Sequence, residues 1–189
     1  SAIVSATTLA PPAQGQCPCS LWPANATPLL ASDPDAQAVE LGVRFTSDAS
    51  GTVTALRFYK GSGNTGAHVG HLWSATGTLL GTAIFTTETA TGWQQASFAT
   101  PIPLTANTPY VASYFAPVGR YAVDDAYFTL PRDQAPLHAP ASSASAGNGV
   151  YLYSPTGGFP TQTYQASNYW VDVVVTTPQG VRGDLDGNG

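Results

Sequence analysis

Apolar and polar residues alternate along many short stretches of this chain, which is the spacing of half-buried β-strands. Every second residue of the stretch 39–45 is apolar, so one face of a strand there is predicted to point into a core. Thr54, Leu56 and Phe58 are predicted to form the inner row of a second strand. The other predicted strands are residues 68–73, 79–85, 93–98, 109–115, 121–128, 150–153 and 169–177.

Turn residues separate these stretches, and none shows the capped 3.6-residue apolar period of a helix. Three prolines exclude the long connection 129–148 from a central strand. About nine short strands without intervening helices predict an all-β fold, an antiparallel β-sandwich of jelly-roll type.

Local composition and the apolar pattern divide the chain into three parts. Residues 1–16 are rich in Ala, Thr, Pro and Gln and suggest an extended N-terminal arm or linker, with a short apolar stretch at Ala2-Ile3-Val4. Residues 17–177 carry the strand pattern and are predicted to be the β-sandwich domain. Residues 178–189 are interpreted as a linker followed by the truncated start of a calcium repeat.

Composition narrows the class of protein. Only 9% of the 189 residues are charged, yet 43% are hydrophobic and 11% aromatic, a content too rich for a disordered chain. With a net charge of −5 and six Lys plus Arg, the chain offers no basic patch, so nucleic acid is not an expected partner. No apolar run is long enough to span a bilayer, so a membrane is not expected either.

Two features favour a secreted protein. The chain starts at Ser1 and contains no Met, as a mature protein does after signal-peptide removal, although an engineered chain is the alternative. The only cysteines are Cys17 and Cys19. For a secreted chain we favour a local disulfide between them; free or intermolecular thiols and metal or redox chemistry are the alternatives.

Calcium is the one cofactor that the sequence indicates. Asp184, Asp186 and Asn188, followed by Gly189, match the first half of a D-x-[DN]-x-[DN]-G calcium loop. With the preceding Pro178-Gln179-Gly180, this segment resembles the opening of a dockerin-type extracellular calcium repeat, and a plain acidic tail is the alternative. Because half of the ligands are missing, the segment alone should bind calcium weakly or not at all.

A second calcium position is predicted inside the sandwich. Asp172 lies between Val171 and Val173 in the last predicted strand, where an unpaired buried charge would be costly. It is therefore a candidate calcium ligand, and the alternative is an ion pair with Arg44 or Arg57.

Nine short motifs spread over about residues 17–177 carry a resemblance to a known family. They are Cys17-Pro18-Cys19-Ser20-Leu21-Trp22-Pro23, Glu40-Leu41-Gly42-Val43-Arg44-Phe45, Leu56-Arg57-Phe58-Tyr59-Lys60, Gly70-His71-Leu72-Trp73, Gly92-Trp93-Gln94-Gln95, Tyr110-Val111-Ala112-Ser113-Tyr114, Gly149-Val150-Tyr151, Gly158-Phe159-Pro160 and Asn168-Tyr169-Trp170-Val171-Asp172. On these motifs, this part of the chain resembles a bacterial family known as domain of unknown function 4082. That resemblance implies a β-sandwich in secreted bacterial proteins, often beside carbohydrate-active or adhesive modules, and supplies no activity.

Catalytic patterns are weak, and the chain is not predicted to be an enzyme. Glu40 is expected on the polar face of its strand, and nothing in the sequence pairs it with Glu88 as a glycosidase would require. No Gly-x-Ser-x-Gly elbow is present. His68 and His71 are three residues apart on a predicted strand and should face opposite sides.

Aromatic residues give the best candidate site. Trp and Tyr rings stack on the apolar faces of sugars, so aromatics near turns are candidates for binding polysaccharide, while Phe45, Phe58, Trp73 and Phe98 are expected in the core. The candidate ligand-binding residues are Tyr151 and Tyr153, which share one face of a predicted strand, and Phe159, Tyr164, Tyr169 and Trp170, which we expect around the turn 157–160.

The leading functional interpretation is therefore a secreted, non-catalytic binding or adhesion module, with a polysaccharide or cell-surface glycan as its partner. The alternative is a structural subunit of an extracellular fibre or surface layer. In that case, other copies of the chain would be the partners, joined when the arm adds as a strand to a neighbour's sheet.

Overall fold

The alternating stretch at residues 39–45 forms an inner strand of the larger of two antiparallel sheets. The structure is a computed structural model that describes residues 17–178. Its eleven strands are β1 (Val39–Ser47), β2 (Gly51–Lys60), β3 (Val69–Ser74), β4 (Leu79–Ile84), β5 (Gly92–Leu104), β6 (Tyr110–Ala116), β7 (Arg132–Gln134), β8 (Leu137–Ala139), β9 (Val150–Tyr153), β10 (Gln162–Thr163) and β11 (Val171–Thr176).

The larger sheet has eight strands, of which six follow the order β10-β9-β1-β6-β3-β4, while the short β7–β8 hairpin extends from the end of β1. The smaller sheet has the order β11-β2-β5. All pairings are antiparallel. The two sheets enclose one main core, so the predicted antiparallel β-sandwich is confirmed.

Large aromatic side chains fill the space between the sheets. Phe58 of the smaller sheet stacks on Tyr114 of the larger one, with 4.1 Å between ring centroids. Phe45 and Phe58 are fully buried and Trp73 and Phe98 almost so, as predicted. Trp73 belongs to a second, smaller cluster with Val111 and Val150 on the outer face of the larger sheet.

Two local predictions are wrong. The stretch 121–128 is not a strand, because Ala126 adopts a left-handed backbone conformation (φ 58°) and a short 3-10 helix, Tyr127–Thr129, follows it. Thr54 is not in the inner row, since a register shift between Val53 and Ala55 turns the strand there. The connection 129–148, for which three prolines argued against a central strand, contains the short β7–β8 hairpin.

An irregular segment near the start of the described residues covers the edge of β11. Cys17 and Cys19 are joined by a disulfide bond. Cys19 exchanges two backbone hydrogen bonds with Val175, of 2.8 and 2.9 Å. Further along, the backbone N–H groups of Leu21 and Trp22 donate to the Asp172 carboxylate. This segment therefore closes one edge of the smaller sheet.

Two predictions fall outside the described residues. They are the arm 1–16 and the partial calcium loop with Asp184, Asp186 and Asn188. Within residues 17–178, no helix is long and apolar enough to cross a membrane.

His138 links the β7–β8 hairpin to the turn that follows β1. Its Nδ1 lies 2.7 Å from a carboxylate oxygen of Asp133, and its Nε2 lies 2.8 Å from one of Asp48. Burial lowers the pKa of His138, but the hydrogen bonds and charges of the two aspartates outweigh it, so the pKa is raised above its ordinary value of 6.5.

This geometry predicts a pH-dependent contribution to stability. Because the folded-state pKa of His138 is the higher one, the contribution is fully present below pH 6.5 and is lost as pH rises through the folded-state pKa. His138→Ala should therefore lower the free energy of unfolding at about pH 6 and change it little at about pH 9, as measured by urea unfolding. An NMR titration midpoint for His138 at or below 6.5 would contradict this account.

Candidate functional site

Strand β9 carries two tyrosines on the inner face of the larger sheet. Tyr151 pairs with Leu41 and Tyr153 pairs with Val39, and directly paired residues project to the same side of a sheet. Val39 and Leu41 belong to the core, so both tyrosines continue the inner face beyond β1. The alternation of Val150-Tyr151-Leu152-Tyr153 therefore predicted their shared face correctly.

The smaller sheet has only three strands. At the β9–β10 end of the larger sheet, loops therefore border the inner face in place of strands. A cleft of about 430 Å³ opens between the loops and β9, and we name it the tyrosine cleft. Its walls are formed by Asp33, Asp35, Gln37, Val39, Leu41, Tyr121, Tyr151, Tyr153, Tyr164 and Tyr169.

The loop 33–37 forms the acidic wall of the tyrosine cleft. Its backbone makes two successive Asx turns, in which Asp33 accepts from the N–H of Asp35 (2.8 Å) and Asp35 accepts from the N–H of Gln37 (2.9 Å). The other carboxylate oxygen of Asp35 accepts hydrogen bonds from the hydroxyls of Tyr153 (2.5 Å) and Tyr121 (3.4 Å). These bonds hold the acidic loop against the aromatic wall.

A tight turn presents Tyr164 to the tyrosine cleft. Gln165 and Ala166 both have left-handed backbone conformations, with φ of 47° and 52°, which non-glycine residues rarely adopt. Their carbonyls accept hydrogen bonds from Ala126 and Phe128, so neighbouring chain holds the turn in place. Tyr164 is 56% exposed and is therefore open to a ligand. Strained backbone of this kind often marks a functional site.

The tyrosines of the cleft support one another by edge-to-face contacts. Tyr169 contacts both Tyr121 and Tyr151, with ring centroids 5.7 and 6.3 Å apart, and Tyr151 contacts Tyr153 at 5.5 Å. Tyr169 is buried beneath the others and forms the base of the group. The cleft is therefore a preorganised aromatic surface rather than a set of independent side chains.

The phenols of Tyr121, Tyr153 and Tyr169 are neutral at physiological pH, because the pKa of each is raised. Burial and the hydrogen-bonded Asp35 carboxylate raise the pKa of Tyr153 to about 12. Burial, with the neighbouring tyrosines and aspartates, also raises the pKa of Tyr121 and of Tyr169. Neutral phenols both donate and accept hydrogen bonds, which suits a ligand rich in hydroxyl groups.

Four of the six predicted ligand-binding residues line this cleft, and two do not. The predicted cluster around the turn 157–160 is wrong, because Phe159 packs on Trp73 on the outer face of the sheet, with ring centroids 5.6 Å apart. Trp170, 3% exposed, lies in the core against Trp22 and Trp93. The expected exposure of Tyr169 is also wrong, since it is only 5% exposed.

Sequence reasoning missed the acidic wall and Tyr121. The spacing of Asp33-Pro34-Asp35 is typical of Asx turns and could have indicated an ordered loop there. Tyr121 was assigned to a strand that does not form. No sequence pattern placed these residues beside β9, because they lie far from it along the chain.

Asp172 forms an ion pair with Arg57, which was the predicted alternative to a calcium site. Its side chain is fully buried, one of its oxygens lies 2.5 Å from the Arg57 guanidinium, and backbone N–H groups of Leu21, Trp22 and Val173 donate to the carboxylate. A second cavity of about 410 Å³ lies beside Arg57 and Trp22. Among residues 17–178, no three His, Cys, Asp or Glu side chains are grouped to hold a metal ion.

Glu40 is buried, which the prediction of a polar strand face did not anticipate. One oxygen accepts from the hydroxyl of Ser113 (2.5 Å) and lies 2.8 Å from Nδ1 of His71. The carboxylate stands between the serine and the histidine, whereas a hydrolytic triad places the histidine next to the serine so that it can take the proton. Ser113 is fully buried as well, so this network does not present a nucleophile.

Comparison with known proteins identifies the family. Curated proteins gave no match to the chain. The sequence model of a domain of unknown function, DUF4082, matches residues 25–171, which include the larger part of both sheets and every wall of the tyrosine cleft. The chain therefore belongs to the DUF4082 family.

Proposed function

We propose that this domain is a non-catalytic carbohydrate-binding module of a secreted protein and that the tyrosine cleft is its binding site. The observation that carries the proposal is the combination of exposed tyrosine rings with Asp33 and Asp35 in one cleft. The apolar C–H face of a sugar would stack on the rings, and its hydroxyl groups would bond to the carboxylates and phenols.

The size of the cleft supports a small ligand. At about 430 Å³ it falls within the range of about 300–1,000 Å³ that is usual for small-molecule sites. It is open on one side, with Tyr153 and Tyr164 44% and 56% exposed, so a longer polysaccharide could extend out of it. We expect affinities in the micromolar range at best, because an open stacking site buries few polar anchors.

The tyrosine cleft is proposed to bind carbohydrate without cleaving it. Asp35 is hydrogen-bonded on both oxygens by groups of the protein itself, so it is not free to protonate a glycosidic oxygen. The low charge of the chain and the Cys17–Cys19 disulfide support an extracellular setting. A calcium repeat at Asp184, Asp186 and Asn188 remains part of the proposal as a neighbouring module, not as part of the cleft.

Affinity electrophoresis over a panel of soluble and insoluble glycans tests this function. The protein should be retarded by at least one glycan, and Tyr164→Ala should weaken that binding about tenfold, since truncating an exposed stacking ring removes about 1.4 kcal/mol or more. Tyr153→Phe should weaken binding less, because it keeps the ring and loses only the hydroxyl that bonds Asp35.

Leu130→Ala is the matched control, since Leu130 is 72% exposed and lies outside the cleft. It should leave retardation unchanged. Retardation by none of the glycans, or equal retardation of the Tyr164→Ala and Leu130→Ala proteins, would rule out binding through the tyrosine cleft.

A further inference from the structure

The strand edges within residues 17–178 are not equally protected. The edge of β11 is closed by Cys19, which pairs with Val175, and by Asp172, which accepts from the N–H of Val173. The edge strand β5 contains Pro101 and Pro103, which have no N–H to offer a new strand. Strand β10 has only two residues and β7 only three.

Strand β4 has none of these protections. It is the terminal strand of the larger sheet, has six residues, and contains neither a proline nor a charged residue. Three of its apolar side chains are exposed: Leu79 by 48%, Leu80 by 37% and Ile84 by 65%. Proteins normally protect such edges with charges, prolines or bulges, because an open edge is a template for another strand. The one such feature of β4 is a register shift near its start, where Leu72 pairs with Gly81 and Trp73 with Leu79, and residues 81–84 beyond it are paired in regular register.

The hydrogen-bond pattern shows which backbone groups of β4 face outward. The N–H of Phe85, just after β4, donates to the carbonyl of His68, just before β3, at 3.2 Å. In an antiparallel pair, alternate residues bond to the partner. Ala83 therefore bonds toward β3, while Thr82 and Ile84 direct their N–H and C=O groups away from the sheet. These groups are placed to pair with an added strand.

An apolar cavity of about 600 Å³ lies at the hairpin end of the same strand. Leu80, Ile102 and Tyr110 are among its lining residues. A strand that paired with β4 would pass beside this cavity and could place an apolar side chain in it. Strand addition generally combines backbone pairing, which gives affinity, with a side-chain pocket, which gives specificity.

The chain itself contains a segment suited to pair with the β4 edge. Residues 1–16 include Ala2-Ile3-Val4, carry no charge, and are interrupted only at Pro11-Pro12. An uncharged, β-prone segment matches the uncharged β4 edge. We propose that β4 is the docking site for residues 2–9 of a second copy of this chain, added as a further strand of the larger sheet.

The position of Cys17 favours docking of residues 2–9 on β4 of a second copy over docking on β4 of their own copy. Cys19 pairs with β11, at one edge of the smaller sheet, whereas β4 packs against β5, at the other edge. Cys17, at the start of the described residues, and the acceptor edge β4 therefore lie at different edges of the sandwich. Contacts of this type are heterologous and propagate into open assemblies rather than closing into a dimer.

The test uses the full chain and two complementary variants. Ile3→Asp should disable the donor segment, and Thr82→Pro should disable the acceptor edge by removing an outward N–H group. Light scattering should show concentration-dependent assembly of the unaltered chain and the monomer mass of 19.5 kDa for each variant alone. A mixture of the two variants should form species of twice that mass and no larger, because only one donor–acceptor junction remains.

Thr82→Ala and Leu29→Lys are the controls. Thr82→Ala keeps the outward N–H group of β4. Leu29→Lys adds a charge outside β4, at a side chain that is 93% exposed. Both should assemble like the unaltered chain. If Thr82→Pro does not fold, as judged by circular dichroism, Leu80→Lys takes its place. A monomeric unaltered chain, assembly of the edge variant, or no pairing in the mixture would each overturn the proposal.

Discussion

Replacing Asp172 by alanine is expected to lower the free energy of unfolding by about 3–5 kcal/mol, the usual cost of removing one partner from a buried ion pair. The side chain is fully buried and accepts hydrogen bonds from Arg57 and from the N–H groups of Leu21, Trp22 and Val173. Burial raises the pKa of Asp172, and Arg57 and the backbone donors oppose that shift. The variant would leave the Arg57 charge and these donors without their acceptor.

Urea unfolding of Asp172→Ala beside a charge-neutral double variant would measure this effect. Replacing Arg57 by Met and Asp172 by Leu together should cost less than Asp172→Ala alone, since no buried charge is then left unpaired. Asp133→Ala is the control for an exposed ion pair and should cost about 1 kcal/mol or less. A loss for Asp172→Ala as small as that of Asp133→Ala would contradict the account.

Phe58→Ala is the second substitution with a large expected effect, a loss of about 3–5 kcal/mol in the free energy of unfolding. Phe58 has no exposed surface, stacks on Tyr114 at 4.1 Å, and meets Phe85 edge to face at 4.8 Å. Its ring therefore joins the two sheets at the centre of the core. The loss combines the apolar area returned to water and the cavity left behind.

Thermal and urea unfolding of Phe58→Ala and Phe58→Leu would check this result. Phe58→Leu should cost less than Phe58→Ala because it leaves a smaller cavity. Leu130→Ala, at a side chain 72% exposed, should be close to neutral. Equal stability of Phe58→Ala and Leu130→Ala would show that the packing described for the core is wrong.

The sequence predicted the elements whose periodicity is regular and long. The alternation of β1 correctly placed Val39 and Leu41 on one face of their strand, and that of β9 placed Tyr151 and Tyr153 on one face of theirs, because the side-chain period of a strand is two wherever the backbone stays regular. It failed at Thr54, where a bulge shifts the phase so that Val53 rather than Thr54 is buried. The adjacent apolar residues Ala55 and Leu56 are the sign of that shift in the sequence.

The site could be predicted only in part, for a related reason. The alternation at residues 150–153 predicts that Tyr151 and Tyr153 share a face. The acidic wall of Asp33 and Asp35 instead comes from a loop distant in sequence, whose position depends on the whole fold. Trp170 resembles an exposed aromatic near a turn, and its backbone does adopt a left-handed conformation (φ 55°). That turn directs its ring inward, which composition and spacing do not reveal.

A crystal structure with the oligosaccharide that most retards the protein would test the central claim most directly. The account predicts sugar rings against Tyr153 and Tyr164, with hydroxyl groups within hydrogen-bonding distance of Asp33 or Asp35. Sugar bound instead in the cavity beside Arg57 and Trp22, with the tyrosine cleft empty, would contradict it.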